Sequence, residues 1–303
     1  MRDVLATFVD RQAELGRFCE MLESDEKPIM LVWGDDGIGK SSLLQRLIHE
    51  CSTRKLRKAE IFATKDRFNT SLKIMRKVRD DLGAEFFPKF TQYVNYFFPD
   101  PAQPLPMPAI NINVSGAQSV FEDAKLENVP IGGDVAGVKV TVKDNMFNVP
   151  RQDMHISPRD QLIHLTDAFV ENLAPLVQDQ MLVILFDDVQ ELTYETYAWL
   201  WEELVRAVSS GKLKNVRFVL CGQTKPELKG DAPMMVNEAP LGPLAVDDVD
   251  LYLMRSGLRA EPNERRAIAE WLHLGTDGIP LEVAMRVDAF FQKHPDKRVP
   301  VNG

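Results

Sequence analysis

An α/β fold is predicted, with a parallel sheet carrying helices on both faces. Three observations predict it. Ile29-Met30-Leu31-Val32-Trp33 is a strand-length apolar run that breaks into a glycine-rich stretch and then a helical pattern. Met181–Phe186 is a second apolar run, and it ends in Asp187-Asp188. Strand-like and helix-like segments alternate around these two, an order that builds parallel sheets covered on both sides. A small β insertion and a C-terminal helical subdomain complete the expectation.

Taken in order, residues 11–23 read as a helix, because Leu15, Phe18, Cys19 and Leu22 follow helical spacing. Pro28 opens the first strand, 29–33. After the glycine-rich stretch, Leu43, Leu44, Leu47 and Ile48 mark the next helix. Ala59–Ala63 is the second strand. Residues 69–98 form one or two helices, ending in aromatics such as Phe86, Phe87, Phe90, Tyr93 and Tyr96 that suit a core. Residues 99–150 change character. Prolines stand at 99, 101, 104, 106 and 108, followed by short alternating runs such as Ala109–Val114 and Val138–Val142. This is a Pro-rich linker with a β insertion. A recurrence of Phe121, Leu126 and Ile131 every five residues weakly resembles a pentapeptide coil. Helices are expected again over 157–178 and 194–209, a strand over 216–220, and helices from about 245 to about 292. The expected division is 1–98 with 151–240 as core, 99–150 as insertion, and 241–303 as a helical lid.

Of 303 residues, 45% are hydrophobic and 27% charged, the profile of a soluble globular protein. No apolar run approaches the roughly 20 residues that span a bilayer. Cys19, Cys51 and Cys221 are scattered, without disulfide or metal-ligand spacing. A cytoplasmic protein with reduced thiols is expected. A net charge of −9 argues against a nucleic-acid partner. The basic group Arg54, Lys55, Arg57 and Lys58 reads as a solvated helix end or a contact surface.

Gly34-Asp35-Asp36-Gly37-Ile38-Gly39-Lys40-Ser41 fits a phosphate-binding loop. Gly37 and Gly39 let backbone N–H groups turn in around phosphate oxygens. The following helix aims its positive end at the same anion. Lys40 would reach the β- and γ-phosphates, and the Ser41 hydroxyl would take a place on Mg²⁺. The run ending at Asp187 would deliver a second Mg²⁺ ligand, and Asp188 would act on the attacking water, with Glu191 in reserve. The alternative is that the two aspartates simply cap the next helix. Gln223 and Thr224, after the strand 216–220, would either touch the γ-phosphate or form a turn. The expected cofactors are ATP and Mg²⁺. The catalytic candidates are Lys40, Asp188 and Gln223, and the metal candidates Ser41 and Asp187. Gly34, Asp36, Gly37, Ile38, Gly39, Lys40, Ser41 and Ser42 form the phosphate-binding set.

Phe8-Val9-Asp10-Arg11-Gln12-Ala13-Glu14-Leu15 resembles the Phe-Val-Gly-Arg-Glu-x-Glu-Leu opening of AAA+-like ATPases, both the origin-recognition type and the STAND class (signal-transduction ATPases with numerous domains). Asp10 replaces their glycine. Leu241–Val249 resembles the segment that opens their helical lid, and Gly278-Ile279-Pro280-Leu281 resembles the STAND Gly-x-Pro motif. The resemblance implies a P-loop NTPase sheet with Phe8, Val9, Arg11 and Pro280 near the base. A winged helix and an effector domain are expected to be missing. There is no Thr-x-Arg after the strand 216–220, and Gln223 stands in that neighbourhood. Arg206 and Arg217 lie where an arginine finger is plausible, but lone surface arginines explain them better. The resemblance implies a nucleotide-dependent switch with slow hydrolysis, acting with a protein partner or as a homo-oligomer. A non-hydrolysing ATP-binding regulatory subunit and a DNA-associated helper ATPase are the alternatives.

Overall fold

The computed structural model describes residues 7–63, 68–99, 113–114, 140–141, 156–228, 230 and 232–299. It divides into two compact units, one of Met1–Val94 with Leu162–Gly303 and one of Asn95–Gln161. Along the chain the strands are β1 (Ile29–Trp33), β2 (Arg57–Phe62), β3 (Asn113–Val114), β4 (Val140–Thr141), β5 (Leu182–Asp187), β6 (Val216–Gly222) and β7 (Val236–Pro240). The helices are α1 (Gln12–Glu23), α2 (Lys40–Thr53), α3 (Ser71–Leu82), α4 (Pro88–Phe97), α5 (Pro158–Leu176), α6 (Tyr194–Trp199), α7 (Arg206–Ser209), α8 (Val246–Arg255), α9 (Pro262–Thr276) and α10 (Pro280–Lys293). A π turn, Leu200–Val205, joins α6 to α7.

Five strands of the larger unit form one sheet, in the order β2-β5-β6-β1-β7. Every pairing is parallel. The reason lies in the runs themselves. All six residues of β5 and all seven of β6 are buried, so both faces of the sheet are covered. Met30, Val32, Val183, Leu185, Val219 and Cys221 meet Phe18, Met21 and Leu22 of α1 and Leu43, Leu44 and Leu47 of α2. Their alternate neighbours, Ile29, Leu31, Ile184, Phe186, Phe218 and Leu220, are equally buried on the opposite face. The helices beyond β2 and β5 are tied to one another. Phe90 of α4 and Phe169 of α5 meet edge to face, and Trp199 of α6 donates to Thr166 of α5 at 2.9 Å. Burying an aromatic or Leu side chain of this kind contributes about 2–3 kcal/mol.

β7 is a strand that the residue pattern does not announce. Val236-Asn237-Glu238-Ala239-Pro240 lacks an apolar run, because β7 is an edge strand that buries only Val236 and Ala239. The first strand has the predicted bounds, and β2, β5 and β6 differ from theirs by one or two residues at one or both ends. In the smaller unit, β3 and β4 pair antiparallel, Asn113 with Thr141 and Val114 with Val140. The pentapeptide-like recurrence at Phe121, Leu126 and Ile131 lies outside the described residues.

α8, α9 and α10 build a second core around Val249, Tyr252, Leu253, Ala269, Leu272, Val283, Val287 and Phe291. Val9, far upstream, belongs to that core, and Arg255 of α8 donates to the Phe8 carbonyl. The segment before α1 is therefore fastened to the C-terminal helices.

Arg217 is not a surface arginine. It is 1% exposed within β6 and donates to the carbonyls of Met21 (2.9 Å) and Lys214 (2.8 Å) and to Asp25 (2.6 Å). These bonds, with help from Lys214, hold the Asp25 carboxyl below the usual aspartate value. The stabilisation from this pair is present above that usual value and lost as pH falls through the lowered one. Arg217→Ala leaves the Met21 and Lys214 carbonyls without their donor and is expected to lower unfolding free energy by about 1–3 kcal/mol, read by urea denaturation.

Candidate active site

The glycine-rich stretch links β1 to α2 in the conformation its sequence implies. Gly37 and Gly39 take left-handed backbone, with φ of 78° and 97°. Gly39 caps α2 without a side chain, which leaves the first turn to an external anion. Lys40 is buried at the helix start, and its Nζ donates to the carbonyls of Gly34 (2.7 Å) and Asp35 (2.9 Å).

A cavity of about 410 Å³ opens at this loop, within the size range of small-molecule sites. Asp36, Gly37, Ile38, Gly39, Lys40, Ser41 and Ser42 line it from the loop side, and Asp188 from the end of β5. Phe8, Val9 and Arg11 line it from the segment before α1, and Pro280 from the start of α10. These residues come from opposite ends of the sequence, as the motifs require.

Three expected residues sit apart from the cavity wall. Gly34 lies behind it, where an added Cβ would stand 2.9 Å from the Leu241 carbonyl oxygen. Asp187 is 3% exposed at the end of β5, and its Oδ1 accepts from the Asp188 backbone N–H at 3.1 Å. Gln223 reaches the loop only at its tip, where Nε2 donates to Asp36 Oδ1 at 3.0 Å. Asp188 has left-handed backbone (φ 57°), and one of its oxygens accepts from Gln190 Nε2 at 3.1 Å. Glu191 is exposed on the following 3-10 turn.

Other wall residues had weaker signals or none. Leu244 and Leu281 lie inside the lid motifs. Tyr252 and Ala284 reach the cavity only because α8 and α10 fold back over the loop. Tyr252 shares the buried face of α8 with Val249 and Leu253, so core spacing hid it.

Arg11 ties these pieces together. It is 6% exposed and donates to Ile38 O (3.0 Å) and Gly242 O (2.7 Å). It pairs with Asp10 at 3.3 Å. Asp10 has a φ of 62°, a conformation that glycine adopts freely, which accounts for glycine at this position in the motif. The lid also touches the loop directly, since Leu281 N–H donates to Gly37 O at 3.1 Å. A Cβ on Gly37 would meet Leu281 Cβ at 3.0 Å.

Burial, and after it the nearby Asp10, raise the Asp248 carboxyl above its ordinary value, against a hydrogen bond from Ala245 N–H. Burial pushes the Cys51 thiol up to about 12 and raises Cys221 behind the loop, which keeps both unreactive. Among the described residues no three His, Cys, Asp or Glu side chains cluster for a metal. No described helix is long and apolar enough to cross a membrane. The basic group after α2 is largely engaged, as Arg54 pairs with Glu50, Lys58 with Glu60, and Arg57 donates to the Leu176 carbonyl.

The sequence profile of a family described as an ATPase domain predominantly from Archaea matches residues 8–225. The chain belongs to that family. It is an AAA+ P-loop NTPase domain, and its matched span holds the loop, the aspartates and Gln223. The fold of this ATPase domain is similar to that of Cdc6p from Pyrobaculum aerophilum, with a TM-score of 0.52, 13% identity, and coverage of 98% of this chain and 68% of that one. It is similar to a STAND protein with a tetratricopeptide repeat sensor from Pyrococcus horikoshii, with a TM-score of 0.45, 13% identity, and coverage of 91% and 29%. It is also similar to AMPPCP-bound DnaA from Aquifex aeolicus, with a TM-score of 0.44, 12% identity, and coverage of 95% and 67%. No curated protein matches it.

Two expectations follow from the site of this ATPase domain. Gly37→Ala forces a side chain into left-handed backbone against Leu281, at a cost of about 1–2 kcal/mol. Faster amide exchange at Leu281 is the expected readout. Asp248→Asn keeps an acceptor for Ala245 and removes the charge. The raised acid favours the folded state at low pH, and that advantage fades as pH rises through the raised value. The variant is therefore expected to gain stability relative to wild type as pH rises from the ordinary aspartate value through the raised one, measured by urea unfolding at each pH.

Proposed function

We propose that this AAA+ ATPase domain binds Mg·ATP between loop and lid and acts as a nucleotide-dependent conformational switch with slow hydrolysis. The direct seating of the lid on the loop carries this reading. The Leu281–Gly37 hydrogen bond and the Arg11 bridge mean that any adjustment of the loop around phosphate loads α10 and the Gly242 turn.

The residues suit the cofactor. Uncapped N–H groups at the start of α2 and left-handed Gly37 and Gly39 provide a cradle without side chains. Lys40 would transfer its donors from Gly34 and Asp35 to the β- and γ-phosphates. Ser41 and Asp187 would hold Mg²⁺, which supplies neutralising charge for the triphosphate. Asp188, steadied by Gln190, would orient or deprotonate the attacking water. Phe8, Val9, Leu244, Tyr252 and Pro280 form an apolar end suited to a planar base.

Slow turnover is consistent with the cations at hand. Among the described residues lining the cavity, only Lys40 and Arg11 are basic, and Arg11 is committed to two carbonyls. P-loop hydrolysis without an added arginine is commonly weak. The proposed readout is a protein partner or a second copy that recognises the lid position.

Lys40→Ala is expected to lower ATP affinity by about a hundredfold in calorimetric titration. Asp187→Ala is expected to keep nucleotide binding but to lose most Mg²⁺-dependent phosphate release. Wild-type affinity in the Lys40 variant would sink the site assignment.

A further inference from the structure

The connection that leaves β6 at Gly222 and enters β7 at Val236 crosses β1, and among its described residues it holds only a 3-10 turn, Ala232–Met235. Crossovers between parallel strands usually carry an α-helix. Here a groove of about 920 Å³ borders the connection instead, more than twice the volume of the cavity at the phosphate loop. One wall is a face of the helical stretch from α6 to α7, with Tyr194, Tyr197, Trp201, Val205 and Ser209 at helical spacing. Trp201 and Val205 belong to the π turn, a distortion that is frequent at functional sites. The facing wall includes Thr224, Pro226, Leu228 and Met235. None of these residues lines the cavity at the phosphate loop.

The chemistry of the walls narrows the occupant. Tyr194 is 84% exposed although it is a large aromatic residue. Tyr197 Oη and Trp201 Nε1 are closed off from water, and no described residue gives either a hydrogen bond of proper geometry. Burial raises the Tyr197 hydroxyl above its ordinary value, and the adjacent Trp201 N–H opposes this only in part. Both groups can donate, so the partner they lack is an acceptor such as a peptide carbonyl. The wall charge is acidic. Glu202 and Glu227 are exposed on it, and Arg206 is the one base among its described residues. Glu191 and Glu195 are exposed beside the Tyr194 end. Aromatic faces and carboxylates together attract guanidinium and ammonium groups. From Tyr194 to Ser209 the wall runs roughly 22 Å at helical rise, a span that about six residues of extended chain would cover. We infer that this groove docks an extended basic segment of a protein partner, in which apolar residues alternate with Arg or Lys. Carbonyls of the segment answer Trp201 and Tyr197, and its apolar side chains meet Val205, Leu228 and Met235. Its cations lie against the aromatic rings, Glu202 and Glu227. The inference is independent of the nucleotide-binding reading.

The test uses the full chain without nucleotide and a fluorescein-labelled hexapeptide of alternating leucine and arginine, followed by anisotropy. Alternate side chains of an extended peptide face opposite ways, so leucines enter the groove while arginines stay at its rim. Wild-type protein is expected to bind this peptide and to leave unbound the same peptide with glutamate in place of arginine. Tyr194→Ala is expected to weaken binding about two- to fivefold, and Glu202→Gln with Glu227→Gln about three- to tenfold. These three side chains are exposed, so the fold does not depend on them. Removing two exposed carboxylates from the C-terminal region instead, Glu264→Gln with Asp296→Asn, is expected to change binding by less than about 1.5-fold. An equal loss in that control would overturn the inference, because the peptide would then follow net charge alone. Equal binding of the glutamate peptide, or no binding of the arginine peptide, would also overturn it. So would self-association of the chain that Tyr194→Ala abolishes, since the groove would then hold a second copy. Each of these failures leaves the phosphate-loop site as it stands.

Discussion

The buried guanidinium of Arg11 is the constraint on which the arrangement of the site depends. Three segments distant in sequence meet at its donors: the strand of chain before α1, the phosphate loop at Ile38, and the turn at Gly242 that leads into the lid. A cation at 6% exposure is costly to bury and is tolerated because carbonyls and Asp10 answer it. The left-handed backbone at Asp10 and Arg11 is the local strain accepted to aim that side chain. Val9 then enters the lid core, so the opening segment forms part of both halves of the site.

Much of this is legible in the sequence alone. The run 29–33 followed by a glycine-rich loop and a helical pattern locates the loop to the residue, because backbone geometry and phosphate chemistry dictate both residue types and order. The strand ending at Asp187 was equally plain, since a central parallel strand is apolar throughout. β7 was not, because an edge strand needs only two buried residues and tolerates Asn237, Glu238 and Pro240. The lid wall was legible in part. Pro280 and Leu281 lie in a short motif, whereas Tyr252 looks like any core residue on an amphipathic helix until the helix is folded over the loop.

Side-chain pairing was the least legible level. Arg217 reads as a lone charge in sequence, and only the sheet shows it buried against Met21, Lys214 and Asp25. Gln223 reads as a turn residue or a phosphate contact, and the fold gives it a partner, Asp36, that neither reading anticipates. Spacing along a chain reports which face a residue occupies. It does not report which groups from other strands share that face, and charge networks are made of those groups.

The strand order has a consequence for how such a chain comes into being. β1, which carries the phosphate loop, is hydrogen-bonded only to β6 and β7, and these begin at Val216 and Val236. A chain emerging from the ribosome therefore holds its loop without either flanking strand until Val216 is made, and without the second until Val236. Pairing across such separations closes long loops and is intrinsically slow. Through that interval the apolar residues of β1 lack both of their native strand neighbours and stay open to pairing with other strands.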